Sequence, residues 1–266
     1  MIKVNGTIIE QKHFPDNSLF VKFNPENDSI CYIHDAHVIE WYYENDAELF
    51  TLICAKRHLD RLYNKPKVAL IMPYIPHARM DRVKSDEDIF TLKYFCEVIN
   101  SLNFELVCVR DAHSNVSLAL LENVYEDSVK DFVNKANDMC GADIFFFPDE
   151  GSMKRYSSAA NKPYAFGMKK RDWETGKILG LDVINAGLVK DRDVLIVDDI
   201  CSRGGTFYHS AKALKEAGAK NIYLYVTHCE NTILEGELLT SGLIEKVYTT
   251  NSIFTKEHEK IEVFKL

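Results

Sequence analysis

The sequence predicts an α/β chain with largely parallel sheets. Three observations carry this. Near-continuous apolar runs of strand length recur at residues 67–73 (KVALIMP), 104–109 (FELVCV), 143–147 (DIFFF), 193–197 (DVLIV) and 221–227 (NIYLYVT). Runs without polar alternation are what strands buried on both faces look like. Between them lie stretches with apolar residues at helical spacing, and regular strand–helix alternation favours parallel pairing through helical crossovers.

Taken in order, residues 2–43 hold short strand-like pieces punctuated by Pro15, Asn17, Pro25 and Asn27, which predict antiparallel edge structure. The run at 67–73 is the first buried strand. Ile89, Leu92, Cys96 and Ile99 then repeat on one helical face, behind acidic residues 86–88 suited to a helix N-terminus. A domain boundary is expected near residues 135–141, giving an N-terminal domain of 1–139 and a C-terminal domain of 140–266. In the second part, Phe207, Ala211, Leu214 and Ala217 mark a helix, with Gly218 where a C-terminal capping glycine belongs. In the tail, Ile261, Val263 and Phe264 are expected to add an edge strand or to pack back on the first domain.

Composition bounds the function. The chain has 266 residues, 46% hydrophobic and 27% charged, so it can bury a substantial core. Its formal charge of 32 − 40 = −8 argues against a nucleic-acid-coating protein, though not against a local cationic pocket. Seven cysteines occur without any C-x-x-C spacing, which predicts free thiols in a reducing compartment and no zinc site. The apolar runs are too short to span a bilayer, and no secretory hydrophobic stretch opens the chain. A cytoplasmic protein without nucleic-acid or membrane partners is expected.

The strongest chemical signal is residues 194–206, an apolar strand running into Asp198-Asp199, then Ile200-Cys201-Ser202-Arg203-Gly204-Gly205-Thr206 and a helix. Glycines let backbone N–H groups approach an anion closely, and a helix start favours negative charge. Thr206 can add a hydroxyl donor or cap the helix. Acids at the carboxyl end of such a strand occupy the usual ligand edge of an α/β sheet, and suit sugar hydroxyls or hydrated Mg²⁺. A Gly-Gly turn alone would mean only a tight strand–helix connection. The whole string predicts a phosphate–sugar site.

That string resembles the phosphoribosyl-pyrophosphate (PRPP) binding motif shared by phosphoribosyltransferases and ribose-phosphate diphosphokinases, the PRPP synthetases. Further segments, in order, resemble the synthetases: Phe14-Pro15-Asp16-Asn17-Ser18, a helix opening at Asn45-Asp46 and Glu48-Leu49, Pro73-Tyr74 with Ala78-Arg79-Met80-Asp81-Arg82, Asp111-Ala112-His113, Pro148-Asp149-Glu150-Gly151 with Arg155, and Lys169-Lys170-Arg171. The resemblance implies two phosphoribosyltransferase-like α/β domains and transfer of a diphosphoryl group from Mg-ATP to ribose 5-phosphate. It implies that Lys169 and Arg171 meet the phosphoryl oxygens and that His113 and Asp149 hold Mg²⁺. Phe14, Asp16, Arg79, Asp81 and Arg82 would bind ATP as co-substrate. Asp198 and Asp199 would bind the ribose, and Ser202, Arg203, Gly204, Gly205 and Thr206 its 5-phosphate. A homo-oligomer is implied as well.

The chain also departs from the family pattern. Met80 stands in place of a glutamine and Ser18 in place of a glutamate. The family's basic ATP-covering loop is here the short acidic stretch 83–88. In the phosphate loop an acid is lost and Arg203 is gained, a change of +2. An arginine fork suits additional phosphate. The alternative acceptor is therefore a 5-substituted ribose such as ADP-ribose, which would place the reaction in NAD salvage. Further alternatives are a phosphoribosyltransferase that consumes PRPP, or an inactive regulatory homologue.

Overall fold

Antiparallel edges and parallel centres organise both halves of the chain. The computed structural model describes residues 1–23, 36–157, 162–171 and 178–266. Cys31 and Trp173 lie outside the described residues. The chain divides into two units, Met1–Ser128 and Val129–Leu266.

In the first unit, β1 (Ile2–Val4), β2 (Thr7–Ile8), β5 (His37–Trp41), β6 (Val68–Ile71), β7 (Leu106–Arg110) and β8 (Val124–Asp127) form one sheet in the order β2-β1-β5-β6-β7-β8. β1 pairs antiparallel with β2 and β5, while β5 through β8 are parallel. β3 (Glu10–His13) and β4 (Leu19–Lys22) make a separate antiparallel hairpin. The helices are α1 (Glu48–Leu62), α2 (Thr91–Ser101) and α3 (Asn115–Leu120). Leu52, Ala55 and Leu59 of α1, and Leu92, Phe95, Cys96 and Ile99 of α2, join one core with Leu70, Val107 and Val109 of the strands. Burying one such aliphatic or aromatic side chain contributes about 1.5–3 kcal/mol. Glu48, buried at the start of α1, accepts hydrogen bonds from the Trp41 indole and the Glu44 backbone N–H, both at 2.9 Å.

Two expectations change here. Helix α2 starts at Thr91, and Ile89 lies before it, 66% exposed. Asp88 does not cap that helix: its carboxylate accepts the backbone N–H groups of Lys84 (2.8 Å) and Ser85 (3.1 Å), closing the preceding loop on itself. The boundary also falls earlier than 139/140, between Ser128 and Val129. The reason is α4 (Lys130–Cys140), whose Val133 and Ala136 are buried with the aromatic residues of the second unit.

The second unit has a seven-stranded sheet in the order β11-β10-β9-β12-β13-β14-β15. Its strands are β9 (Ile144–Phe147), β10 (Tyr164–Arg171), β11 (Ile178–Ile184), β12 (Val194–Cys201), β13 (Ile222–Cys229), β14 (Lys246–Thr250) and β15 (Ile261–Phe264). Only β11 is antiparallel to its neighbour. The tail strand β15 extends this sheet beside β14, so it belongs to the second unit. Alternation along each strand sorts side chains between two cores. Ile144, Phe146, Val194 and Ile196 pack on the side of α6 (Gly205–Glu216). Phe145, Phe147, Leu195 and Val197 pack with Val133 of α4 and Tyr156 of α5 (Glu150–Tyr156). Gly218, in the left-handed region at φ 91°, follows the last turn of α6 as the sequence predicts.

Candidate active site

In the second unit the carboxyl edge of the sheet is uneven. The register sets Phe166 level with Phe147 and Ile196 level with Phe146. Strand β9 stops at Phe147, whereas its neighbours continue to Arg171 and Cys201. Ends of this kind are where α/β sheets take ligands. Asp149 follows β9 and opens α5 with a capping box: its Oδ1 accepts the N–H groups of Gly151 (3.0 Å) and Ser152 (3.1 Å). Lys169 and Arg171 lie on the overhanging end of β10, paired in register with Leu181 and Ile178 of β11. The described structure takes in their backbone only.

Asp198 and Asp199 lie within β12 and have different surroundings. Asp199 is buried, and Arg155 of α5 donates to its Oδ2 at 3.1 Å. Asp198 is half-buried, and its Oδ1 accepts the backbone N–H of Asp199 at 3.1 Å. Gly204 then adopts φ 80°, a conformation that favours glycine, and becomes the N-cap of α6. Thr206 does not cap the helix. It is exposed in the first turn with Gly205, and the N-cap, Gly204, has no side chain to offer that helix start. The first N–H groups of α6 are therefore directed at the edge where an anion would bind.

Residues 202–204 rest on the segment that follows β13. Ser202 Oγ donates to Glu230 Oε2 at 2.7 Å, and Arg203 Nη2 to Glu235 Oε2 at 3.0 Å. Arg203 is 72% exposed, at the rim of the loop. Cys201 and Cys229 are register partners beneath this loop. The Cys229 side chain against it, with burial, holds the Cys201 thiol well above the usual thiol range, so it is no nucleophile at neutral pH, and its S–H donates to the Ser202 carbonyl at 3.4 Å.

In the first unit the corresponding edge collects the other expected residues. Arg79, Asp81 and Arg82 follow β6, and Asp111, Ala112 and His113 follow β7. Ser114 Oγ donates to Asp81 Oδ2 at 2.9 Å and caps α3, which ties these two loops together. Arg82 Nε lies 3.1 Å from Asp81 Oδ1. His77, at φ 63°, holds Asp46 at 3.1 Å. Asp111 is buried at φ 46°, and the next N–H, from Ala112, reaches Glu126 Oε1 at 2.8 Å. Phe14 and Asp16 are elsewhere, at the tip of the β3–β4 hairpin. Phe14 is 53% exposed and meets Phe20 edge-on, and Asp16 accepts both the N–H and the hydroxyl of Ser18. Those hydrogen bonds hold the Asp16 carboxyl below its ordinary range.

Sequence reasoning missed Glu230, Glu235 and Ser114. Glu230 had a signal: an acid three residues past the apolar run 221–227. Among the described residues no three His, Cys, Asp or Glu side chains form a metal-binding group.

Residues 147–238 match the phosphoribosyl transferase domain, a span that contains β12, its loop and α6. The chain is 26% identical to the ribose-phosphate pyrophosphokinase of Pyrococcus abyssi over 263 residues, covering 96% of this chain and 87% of that one. It is 30% identical to the enzyme of that name from Campylobacter jejuni over 195 residues, 71% of this chain and 62% of the relative. Along almost its whole length the chain is similar to ribose-phosphate pyrophosphokinases. The fold agrees. The crystal structure of phosphoribosylpyrophosphate synthetase from Mycobacterium smegmatis superposes with a TM-score of 0.75 at 17% identity, covering 97% of this chain and 86% of that one. That likeness takes in both units, whereas the phosphoribosyl transferase match lies in the second alone.

Proposed function

We propose that this protein transfers a diphosphoryl group from ATP to the 1-hydroxyl of ribose 5-phosphate, giving PRPP and AMP. The observation that carries the reading is the β12–α6 loop, an uncapped helix start with exposed Gly205 and Thr206, next to two carboxylates of unlike environment. The 5-phosphate is received by the first N–H groups of α6 and the Thr206 hydroxyl. Asp198, the more accessible acid, accepts hydrogen bonds from the ribose hydroxyls. Asp199, neutralised by Arg155, orients the end of the strand.

The 1-hydroxyl oxygen attacks the β-phosphorus of ATP. The bond from that phosphorus to the oxygen bridging the α-phosphorus breaks, AMP leaves with that oxygen, and the hydroxyl proton passes to solvent. Lys169 and Arg171 meet the charge that develops on the phosphoryl oxygens. Arg79, Asp81 and Arg82, gathered at one sheet edge of the first unit, bind ATP. Mg²⁺ keeps several waters and is commonly held by one or two carboxylates plus substrate phosphates. Asp149 is an oxygen donor of that kind, and would hold the ion directly or through water. The ion would neutralise charge on the diphosphate. Incubation with ATP, Mg²⁺ and ribose 5-phosphate is expected to release AMP in step with PRPP. Reaction of PRPP with a base, and none with ATP, would instead identify a phosphoribosyltransferase. No turnover in either assay would leave a regulatory homologue.

Arg203 favours a second acceptor. Its guanidinium stands at the exposed rim of the loop, within reach of Glu235, and could exchange that carboxylate for a further phosphate on a 5-substituted ribose such as ADP-ribose. The same assay with ADP-ribose tests this. Equal or greater turnover on ribose 5-phosphate removes it, while faster turnover on ADP-ribose makes that the acceptor and assigns the protein to NAD salvage.

A further inference from the structure

Nothing in the family pattern quoted above includes the segment after β13, yet it touches each of residues 202–204. The Glu230 N–H donates to the Cys201 carbonyl at 2.8 Å. The Glu230 carboxylate accepts from Ser202 Oγ at 2.7 Å and from Thr232 Oγ1 at 3.0 Å through the same oxygen, Oε2. A Cβ on Gly236 would fall 1.9 Å from the Arg203 carbonyl oxygen, so only glycine fits at that point. A Cβ on Gly204 would meet Leu238 at 2.9 Å. The backbone of the phosphate loop is thus supported from behind along its length.

Glu230 is the unexpected member of this support. A carboxylate close behind a site for a phosphate dianion weakens anion binding by repulsion. It also takes the Ser202 hydroxyl hydrogen, which the phosphate would otherwise use. Its contribution has to be order. We infer that Glu230 is a positioning residue for the acceptor phosphate: it holds Ser202, and through Ser202 it fixes the turn into Gly204 that aims the α6 N–H groups at the ligand. The assignment rests on the reading of this loop as the 5-phosphate site. It divides the loop's groups by role. Ser202 serves the loop's own conformation, while the backbone of Gly205 and Thr206 and the Thr206 hydroxyl serve the ligand.

The test is steady-state kinetics and calorimetric binding of ribose 5-phosphate with the full chain. Glu230→Ala is expected to raise KM and Kd for ribose 5-phosphate by about tenfold or more, the effect of losing a charge-assisted hydrogen bond. KM for ATP, and kcat at saturating acceptor, should stay within about twofold, a split that general destabilisation would not produce. Glu230→Gln keeps an acceptor oxygen and removes the charge, so it should restore wild-type KM or better it. Ser202→Ala should match Glu230→Ala, and the double variant should be no worse than either, because both act through one contact. An unchanged acceptor KM in Glu230→Ala, or effects of the two substitutions that multiply, overturns the assignment. A wild-type chain that neither binds ribose 5-phosphate nor releases AMP with it overturns the reading of the site itself, and the assignment with it. The two failures are therefore distinguishable.

Discussion

Two loops at carboxyl strand ends, one in each unit, are built in opposite ways. The loop after β12 is short, turns on a glycine at positive φ, and is braced by the residues after β13. The loop after β6 runs to Thr91 and has an exposed stretch at 82–87. Its ordering contact there is with its own Asp88. The braced loop has its geometry set before ligand arrives, so binding there costs little ordering entropy. The self-closed loop has less to oppose movement and carries acids at 86–88. Under the proposed function, charge neutralisation would fall to Lys169, Arg171 and Arg203.

The largest expected effect tests that assignment of catalytic weight. Lys169→Ala and Arg171→Ala should each lower kcat by about 10²–10³, the scale for removing one preorganised donor at developing charge. Circular dichroism and melting temperature should be unchanged. Rates within a factor of two of wild type would move the catalytic cations elsewhere, and the acidic loop would then need a new account.

A smaller effect separates structural from ligand-facing acids in the braced region. Arg155→Ala leaves the buried Asp199 carboxylate without its guanidinium. Loss of such a partner should cost roughly 2 kcal/mol, below the range for fully buried pairs because Arg155 is partly exposed. Urea unfolding would register it. Asp198→Asn should leave the unfolding midpoint nearly alone and raise KM for the acceptor instead. If both substitutions act on stability alike, the two acids do not have the distinct roles that their surroundings imply.

The smallest effect belongs to the other loop. Replacing exposed Asp86 and Glu87 by their amides removes two negative charges and should lower KM for ATP by about twofold at low ionic strength. The gain should fade near 1 M salt, where the screening length is about 3 Å. An effect that survives high salt would mean direct contact with the nucleotide.

Much of this was legible in sequence because it is local. Strand-length apolar runs marked β6, β9, β12 and β13, since a strand buried on both faces cannot alternate, and they marked β7 as well, although its burial alternates. The chemistry of residues 198–206 was legible because acids, glycines and helix start are contiguous. What escaped was set by distance along the chain. Ser202 and Glu230 are 28 residues apart, and Asp81 and Ser114 are 33 apart, so no local pattern links them. The role of Asp88 is not legible locally, because an acid before a helix serves equally well as a cap or as the closure of the preceding turn. The boundary shifted because a helical pattern does not say which of two neighbouring cores will bury it.

The close approach of Gly236 to Arg203 has one more consequence. It pins the main chain at position 203 and leaves the side chain on the outside, so the backbone cradle and the rim chemistry are separately adjustable. A single codon change at 203 can exchange arginine for a neutral or acidic group without re-forming the turn beneath it. Loops with this division of labour are good starting points for altering substrate preference in the laboratory. The position to randomise first is 203, and the one to leave untouched is 236.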